Sequence, residues 1–455
     1  MKKSVVAALL VLMCIMVIGG LYIGYAGIRK PVKVETVKFW SNNGHTKELV
    51  TRMVAEYNST VGKEKGIKIE YTVHSADYKN AMNLAIAAGQ APDLFKTHDL
   101  LPVLVQKNAV IPIEEMPGGG EFLKNYEGLL KSPVFMYKGK TYTVPFNVSS
   151  LKLIYNKDLF KEAGIVDAKG EAKPPTTWDE VAEYAKKLTN PAKKVYGIVF
   201  PMRWPGYLNY ELLFPFVSSV GHMHFDNRTG KFNYNGFKPA FEWLLRVKKD
   251  KSYFPGAEGL DNDPARAQFA EGRIGMKFGA SWDVAVLNDQ FPAKCAWGVA
   301  DLPVLDPDNR YKELMNAGNG GAISTTAKKN NLEKVMEVYK WSTGDEFLAR
   351  MYEEGKYIPY KDSIVKMAKK QPGKVGWAEF SKIDKGFLNL TDPKVAIEGD
   401  DDKKVLEKIW LGIVPVEKAL ADLDKRYNEA LEKAVRNGKI DLEDYLVEDF
   451  DISLK

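Results

Sequence analysis

The chain has 455 residues, with 65 Lys and Arg against 59 Asp and Glu, and 45% of it is hydrophobic. That apolar share excludes wholesale disorder, and two cysteines, Cys14 and Cys295, exclude a disulfide framework or a cysteine-rich zinc module. A formal charge of +6 over this length lacks the concentrated basic face of a nucleic-acid-binding protein, and five histidines leave little for a metal enzyme.

Lys2 and Lys3 precede an uncharged stretch from Ser4 to Ile28, closed by Arg29 and Lys30. Charges followed by an apolar core are the layout of an export signal, and the stretch is also long enough to span a bilayer. Gly24-Tyr25-Ala26 offers a small-x-small cleavage site, so residues 1–30 read equally as a cleaved signal peptide or a retained membrane-anchor helix. Cys14 follows Val11-Leu12-Met13 rather than small residues, which argues against a lipid anchor. Either way the bulk of the chain lies outside the cytoplasmic membrane, periplasmic or at the cell surface. Later segments all carry charges before reaching spanning length, so the chain is not itself a multi-pass transporter.

Lys33 to Trp40 reads as a strand rich in β-branched residues. Leu49, Val50, Met53, Val54 and Tyr57 then recur at helical spacing, and Ile67, Ile69, Tyr71 and Val73 alternate as a second strand. Strand, helix and strand in this order make a βαβ unit with a parallel or mixed sheet. A helix through Ala81, Ala85 and Ala88 stops at Gly89, and a short strand follows at Leu94-Phe95. Further on, Thr177-x-x-Glu180 forms a capping box before the apolar face of Val181, Tyr184, Ala185 and Leu188. Helices are predicted over Leu332–Trp341 and, mixed in charge, over Val405–Val435. The acidic cluster Gly399 to Asp402 reads as a solvated loop, and the chain shows neither an internal repeat nor a long linker.

Catalytic motifs are missing. Gly279-Ala280-Ser281-Trp282-Asp283 breaks the nucleophile-elbow pattern at its last position, and Gly318-Asn319-Gly320-Gly321 lacks the Lys-Ser/Thr of a phosphate loop. That glycine run reads as a turn after a strand. His222 and His224 would project from one side of a strand but have no third metal ligand near in sequence. Asp261-Asn262-Asp263 opens like a calcium loop without its glycine and terminal glutamate, and reads as a helix-capping turn. No metal and no cofactor is expected.

Aromatic residues are 11% of the chain, nine of them tryptophan. Trp178, Trp243 and Trp341 have helically spaced apolar neighbours and belong to the core. Trp40, Trp204 and Trp282 instead sit where strands or loops end, beside small or hydrogen-bonding residues. A sugar needs that combination: its C–H faces stack on rings and its hydroxyls take paired donors and acceptors.

Several blocks closely resemble the family 1 extracellular solute-binding proteins of bacterial ABC importers. They are AGQAPDLF (88–95), YKGKTYTVPFNVSSLKLIYNKDLFKEAG (137–164), PPTTWDE (174–180), ARAQFAEGRIGMKFGASW (265–282), WGVADLP (297–303) and NGGAIS (319–324). Their order and spacing carry the likeness from about Val34 to Leu431.

The resemblance implies an α/β fold of the type II periplasmic-binding-protein kind: two lobes, a hinge and a central ligand cleft. Lobe one would combine residues 31–150 with 302–345, and lobe two residues 151–301 with 346–455. The first crossing between them falls near Ser149 to Lys152. The implied function is delivery of a carbohydrate to the membrane permease of an ABC importer by a monomeric receptor. The ligand would be held by cleft closure, ring stacking and hydrogen bonds, without covalent chemistry or nucleic acid. An exported carbohydrate-active enzyme, or a sugar sensor for a membrane kinase, is the alternative.

By the same resemblance, Trp40, Ser41, Asn42 and Asn43, with Asp77 and Tyr78, line the cleft from lobe one. His98-Asp99 matches a pair whose Asp holds sugar hydroxyls in the family's maltose receptors. Those receptors carry an aromatic platform two residues before the His, where this chain has Lys96. Asn147 or Ser149 falls where some relatives have a glutamate. Trp204, Tyr207 and Glu211 face the cleft from lobe two, Trp282 stacks on the ligand, and Gly318-Asn319 passes close to it. Cleavage after Ala26 would leave a charge of +4, which suits a receptor for uncharged solutes.

Overall fold

The β-branched run near the start of the exported part forms strand β1 (Glu35–Ser41), and helix α1 (Lys47–Ser59) buries the predicted face of Leu49, Val50, Met53, Val54 and Tyr57. β2 (Ile67–Val73) lies parallel to β1, so the expected βαβ unit is present. Helix α2 (Tyr78–Ala87) ends just before Gly89, which turns the chain at φ +62° into β3 (Leu94–Phe95), parallel to β1 on its other side. This computed structural model describes residues 33–74, 77–97, 101–130, 134–204, 207–308, 311, 313–382, 386–447 and 450. The expected signal or anchor segment lies outside the described residues, as do His98 and Asp99. No helix among the described residues is long and apolar enough to cross a membrane.

The remaining chain builds a second sheet around β4 (Pro145–Asn156), which is buried along its length except for half-buried Asn147. Helix α3 (Trp178–Leu188) starts with the predicted box, Thr177 accepting from the Glu180 amide and Glu180 reaching back to the Thr177 amide. After it come β5 (Tyr196–Ile198), α4 (Lys238–Lys249), α5 (Asn262–Ala270) capped by Asp261, β6 (Ile274–Ala280) and β7 (Trp297–Ala300). They are followed by β8 (Glu313–Asn319), β9 (Ala322–Ile323), α6 (Leu332–Thr343), α7 (Asp345–Glu353), β10 (Ile358–Pro359) and β11 (Gly386–Leu388). The C-terminal portion, expected to be helical, is two helices, α8 (Asp402–Leu411) and α9 (Val416–Arg436). Gly412 at φ +78° ends the first, and Pro415 opens the second without the amide that a continuing helix would need.

The first sheet has strand order β9-β3-β1-β2, with β9 antiparallel to β3. The second has order β11-β8-β4-β6-β5, with β7 and β10 also pairing with β4. β4 exchanges partners along its length. Pro145 to Ser150 pair with β8, whereas Leu151 to Tyr155 pair with β6.

Each sheet has its own core. One gathers Val37, Phe39, Leu49, Met53, Ile69 and Leu94 with Ile323, Val335, Met336 and Tyr339. Phe347, Leu348 and Met351, on the apolar face of α7, and Ile364 further on pack there too. The other packs Trp178, Phe216, Trp243, Leu244 and Phe278 with Leu406, Trp410 and Leu420 from the C-terminal helices. Trp178 stacks on Phe216 at 4.2 Å and donates from Nε1 to the Ser219 hydroxyl at 3.0 Å, so a fully buried indole has its polar atom satisfied.

Candidate functional site

Loop ends from both sheets converge on one cavity of 750 Å³. From the first sheet come Asn42, Asn43 and His45, which follow β1, and Lys96 and Thr97, which follow β3. β4 adds Asn147, Val148 and Ser149, β8 adds Asn316 to Asn319, and Lys356 and Tyr357 arrive with β10. Facing them are Asp263 and Arg266 on α5, the tip Ser281-Trp282 after β6, and Asp289 on a π-helical turn at Val286–Gln290. A depression of 780 Å³ between Met53–Val61, Glu121–Tyr126 and Lys340–Phe347 draws only on the first lobe's surface.

The first-lobe wall is a hydrogen-bonded polar surface. Asn43 donates from Nδ2 to the Tyr357 hydroxyl at 2.6 Å, and its amide donates to Ser41 Oγ at 3.1 Å. Asn319 donates from Nδ2 to Thr97 Oγ1 at 2.7 Å, while its carbonyl receives the Lys96 ammonium at 2.9 Å. Gly321 at φ +91° brings the backbone against the Phe95 carbonyl, where a Cβ would lie 2.7 Å away. The glycine run linking β8 and β9 is therefore a close backbone approach to β3.

The opposite wall stands on buried charge. Arg266 donates from Nε to Asp283 Oδ1 at 2.6 Å and from a terminal nitrogen to Asp263 Oδ1 at 2.8 Å. Asp283 also accepts from the Ala280 amide at 2.9 Å and lies 3.3 Å from the Lys277 ammonium. Glu211, fully enclosed 3.7 Å from the same ammonium, has no hydrogen-bond partner for either oxygen among the described residues. Burial raises its carboxyl to about 7 despite Lys277, whereas Lys277 and Arg266 hold Asp283 below the usual carboxylate range against its own burial. At His45, shielding within the cleft and then Lys356 and Arg266 disfavour the charged ring and lower its pKa.

Of the expected site residues, the cleft brings together Asn42, Asn43, Asn147, Ser149, Trp282, Gly318 and Asn319. The others that the structure describes stand elsewhere. Trp40 packs against the core around Tyr78 and meets His74 at 4.5 Å, and Ser41 is buried beneath Asn43. Asp77 is an exposed residue ahead of α2, while Tyr78 is buried with its hydroxyl on the Lys96 carbonyl. Trp204 leans on the second core. Tyr207 and Glu211 lie on a π-helical turn, Tyr207–Leu213, that points both inward; Tyr207 reaches the Val199 carbonyl at 3.3 Å. Their side chains serve the protein interior, so they leave the list of cleft contacts. Sequence reasoning missed His45, Arg266, Lys356 and Tyr357. Arg266 sat inside the block 265–282 already noticed, but Lys356 and Tyr357 lie in no motif.

His222 and His224 are engaged elsewhere, one ring nitrogen of His222 on the Asn233 carbonyl at 2.8 Å and His224 stacked on Phe214 at 4.2 Å. Asp261 caps α5, as read from the sequence.

The sequence model for bacterial extracellular solute-binding proteins matches residues 43–348. The maltotriose-binding protein of Pyrococcus abyssi is 24% identical over 366 residues, covering 79% of this chain and 74% of that one. The sn-glycerol-3-phosphate-binding periplasmic protein of Escherichia coli is 24% identical over 458 residues, covering 92% and 98%. Among solved structures, a maltose/maltodextrin-binding domain from Bdellovibrio bacteriovorus bound to maltotriose superposes with a TM-score of 0.65 at 18% identity, covering 88% of this chain and all of that one. An ABC transporter solute-binding protein from Agrobacterium vitis with bound D-mannitol gives 0.59 at 20% identity, over 88% and 99%. The two-lobed α/β fold is the one these structures share.

Proposed function

Since the chain belongs to the bacterial extracellular solute-binding protein family, we propose that it captures a carbohydrate or related polyol outside the cytoplasmic membrane and delivers it to the permease of an ABC importer. The observation that carries this reading is the cavity between the lobes, in which a half-buried indole, Trp282, faces a wall of amide side chains, Asn43, Asn147 and Asn319. An aromatic plane opposite paired donors and acceptors suits a sugar ring and its hydroxyls. The names of the relatives support the same ligand class: maltotriose, glycerol phosphate and mannitol are all polyols.

In this reading the lobes divide near residue 150, where β4 exchanges its partner strands, and that point is the hinge. The protein acts as a monomer, tethered or released according to whether residues 4–28 are retained. Binding consists of closing Trp282 and Arg266 over a ligand already seated on Asn43 and Asn319. Import requires release as well as capture, so a dissociation constant on the order of micromolar, about −8 kcal/mol, is expected.

A thermal-shift screen of the exported part against saccharides and polyols tests the proposal. A ligand that binds only the folded protein raises its stability by RT ln(1 + [L]/Kd). Shifts confined to non-carbohydrate solutes would refute it.

A further inference from the structure

Charge around the cleft is unevenly satisfied. The carboxylates on its wall are each paired: Asp263 with Arg266 at 2.8 Å, and Asp289 with Lys374. Arg266 is in turn shared with Asp283 beneath the floor. On the first-lobe side, Lys96 and Lys356 have no carboxylate within 4.0 Å among the described residues, although both line the cavity.

Lys96 is firmly placed. Its amide donates to the Trp40 carbonyl at 3.0 Å, and its own carbonyl receives the Tyr78 hydroxyl at 2.6 Å. The ammonium spends one donor on the Asn319 carbonyl and stands 3.8 Å from the centre of the Phe146 ring. An ammonium has three donors, and a neutral carbonyl with one ring face leaves its charge uncompensated. Withdrawal from water accordingly lowers it to about 7. The Phe146 ring meets the edge of Tyr357 at 5.5 Å, and Tyr357 follows Lys356 directly. His45 lies edge-on to the same tyrosine at 5.7 Å. The two lysines thus flank a single aromatic corner of the cleft, with a largely neutral imidazole beside them. Burying such a cation without a counter-ion is costly, and a bound anion removes the cost.

We infer that the polyol taken by this cleft carries an anionic group, a carboxylate or a phosphate, received by Lys96 and Lys356 while Trp282 stacks on the ring. The inference rests on the carbohydrate reading of the cleft and narrows its ligand class.

Matched pairs of ligands decide it, measured by titration calorimetry on the full exported chain. Mono- to trisaccharides of galacturonate are compared with those of galactose, and glucose 6-phosphate with glucose. At least one acidic member should bind tenfold or more tighter than its neutral partner, and which pair responds identifies carboxylate or phosphate as the source. Lys96→Met and Lys356→Met, each checked for an unaltered melting profile, should weaken the acidic member more than its neutral partner and so erase that preference. Should Lys96→Met not fold, Lys356→Met alone carries the test. Equal affinity for acidic and neutral members, or a preference that survives the lysine substitutions, overturns the inference and leaves the carbohydrate reading standing. Folded protein that binds no saccharide of either kind overturns both.

Discussion

Arg266 grips Asp283 at 2.6 Å across the floor of the cleft, binding helix α5 to the turn that presents Trp282. Asp283 is fully enclosed and also holds the Ala280 amide, so the position of the indole depends on a buried carboxylate one residue along. The charges behind the cleft are part of the scaffold that aims its ring.

Trp282→Ala should therefore weaken ligand binding by tenfold or more, about 1.4 kcal/mol, while the melting temperature moves by only a few degrees. Calorimetric titration of wild type and variant makes the comparison. Equal affinities would remove Trp282 from the ligand's surroundings.

Removing Asp283 should act on the fold first. Asp283→Ala leaves Arg266 with Asp263 alone and Lys277 with Glu211 alone, and loss of one partner from a buried charge network costs about 3–5 kcal/mol. Urea unfolding measures it. A loss under about 1 kcal/mol would mean that water or another carboxylate takes over the role.

Glu211 gives the stability a pH signature. Its folded value of about 7 lies above the ordinary 4.5, so between these values the folded state keeps a proton that the unfolded state has released. The stability this provides is complete below the unfolded value and disappears as the pH rises through about 7. Glu211→Gln makes the protonated shape permanent, and its melting temperature should gain on wild type toward alkaline pH. A difference that stays constant from about pH 5 to about pH 8.5 would contradict the assignment.

At Gly318 a Cβ would stand 2.0 Å from Asn147 Oδ1. Gly318→Ala should push the amide aside, cost about 1–3 kcal/mol by overpacking, and lower ligand affinity. Asn147→Ala added to it should restore most of the stability without restoring binding. A double-mutant cycle that is additive would show the two residues to be uncoupled.

The first sheet and the capping box were readable because their signals are local. Alternation in β2, the 3–4 spacing of α1 and Thr177-x-x-Glu180 each specify their element within a dozen residues. Trp282 stood out because small neighbours marked it as a loop end, while Asn319 was placed at the cleft by the resemblance alone. Tyr207 and Glu211 were placed by the resemblance, whereas both lie on a π-helical turn with their side chains enclosed. Lys356 and Tyr357 reach the cleft only because β10 pairs with β4, a long-range register that leaves no local pattern. Net charge is silent on placement, since a near-neutral total does not say where Lys96 and Lys356 stand.

The way the first sheet is completed also sets the order in which the protein can assemble. β9 pairs with β3 from far downstream, and Thr326 donates to the Ala91 carbonyl 235 positions earlier. Strand order therefore demands that the N-terminal lobe wait, unclosed, while the intervening lobe is made and threaded outside the membrane. Non-local pairing of this kind slows folding and lengthens the exposure of apolar surface. A chain cut short before β9 would leave β3 with an open edge, a sticky nascent species rather than a smaller receptor. The interleaving that gives the cleft two walls therefore also ties maturation to delivery of the whole chain.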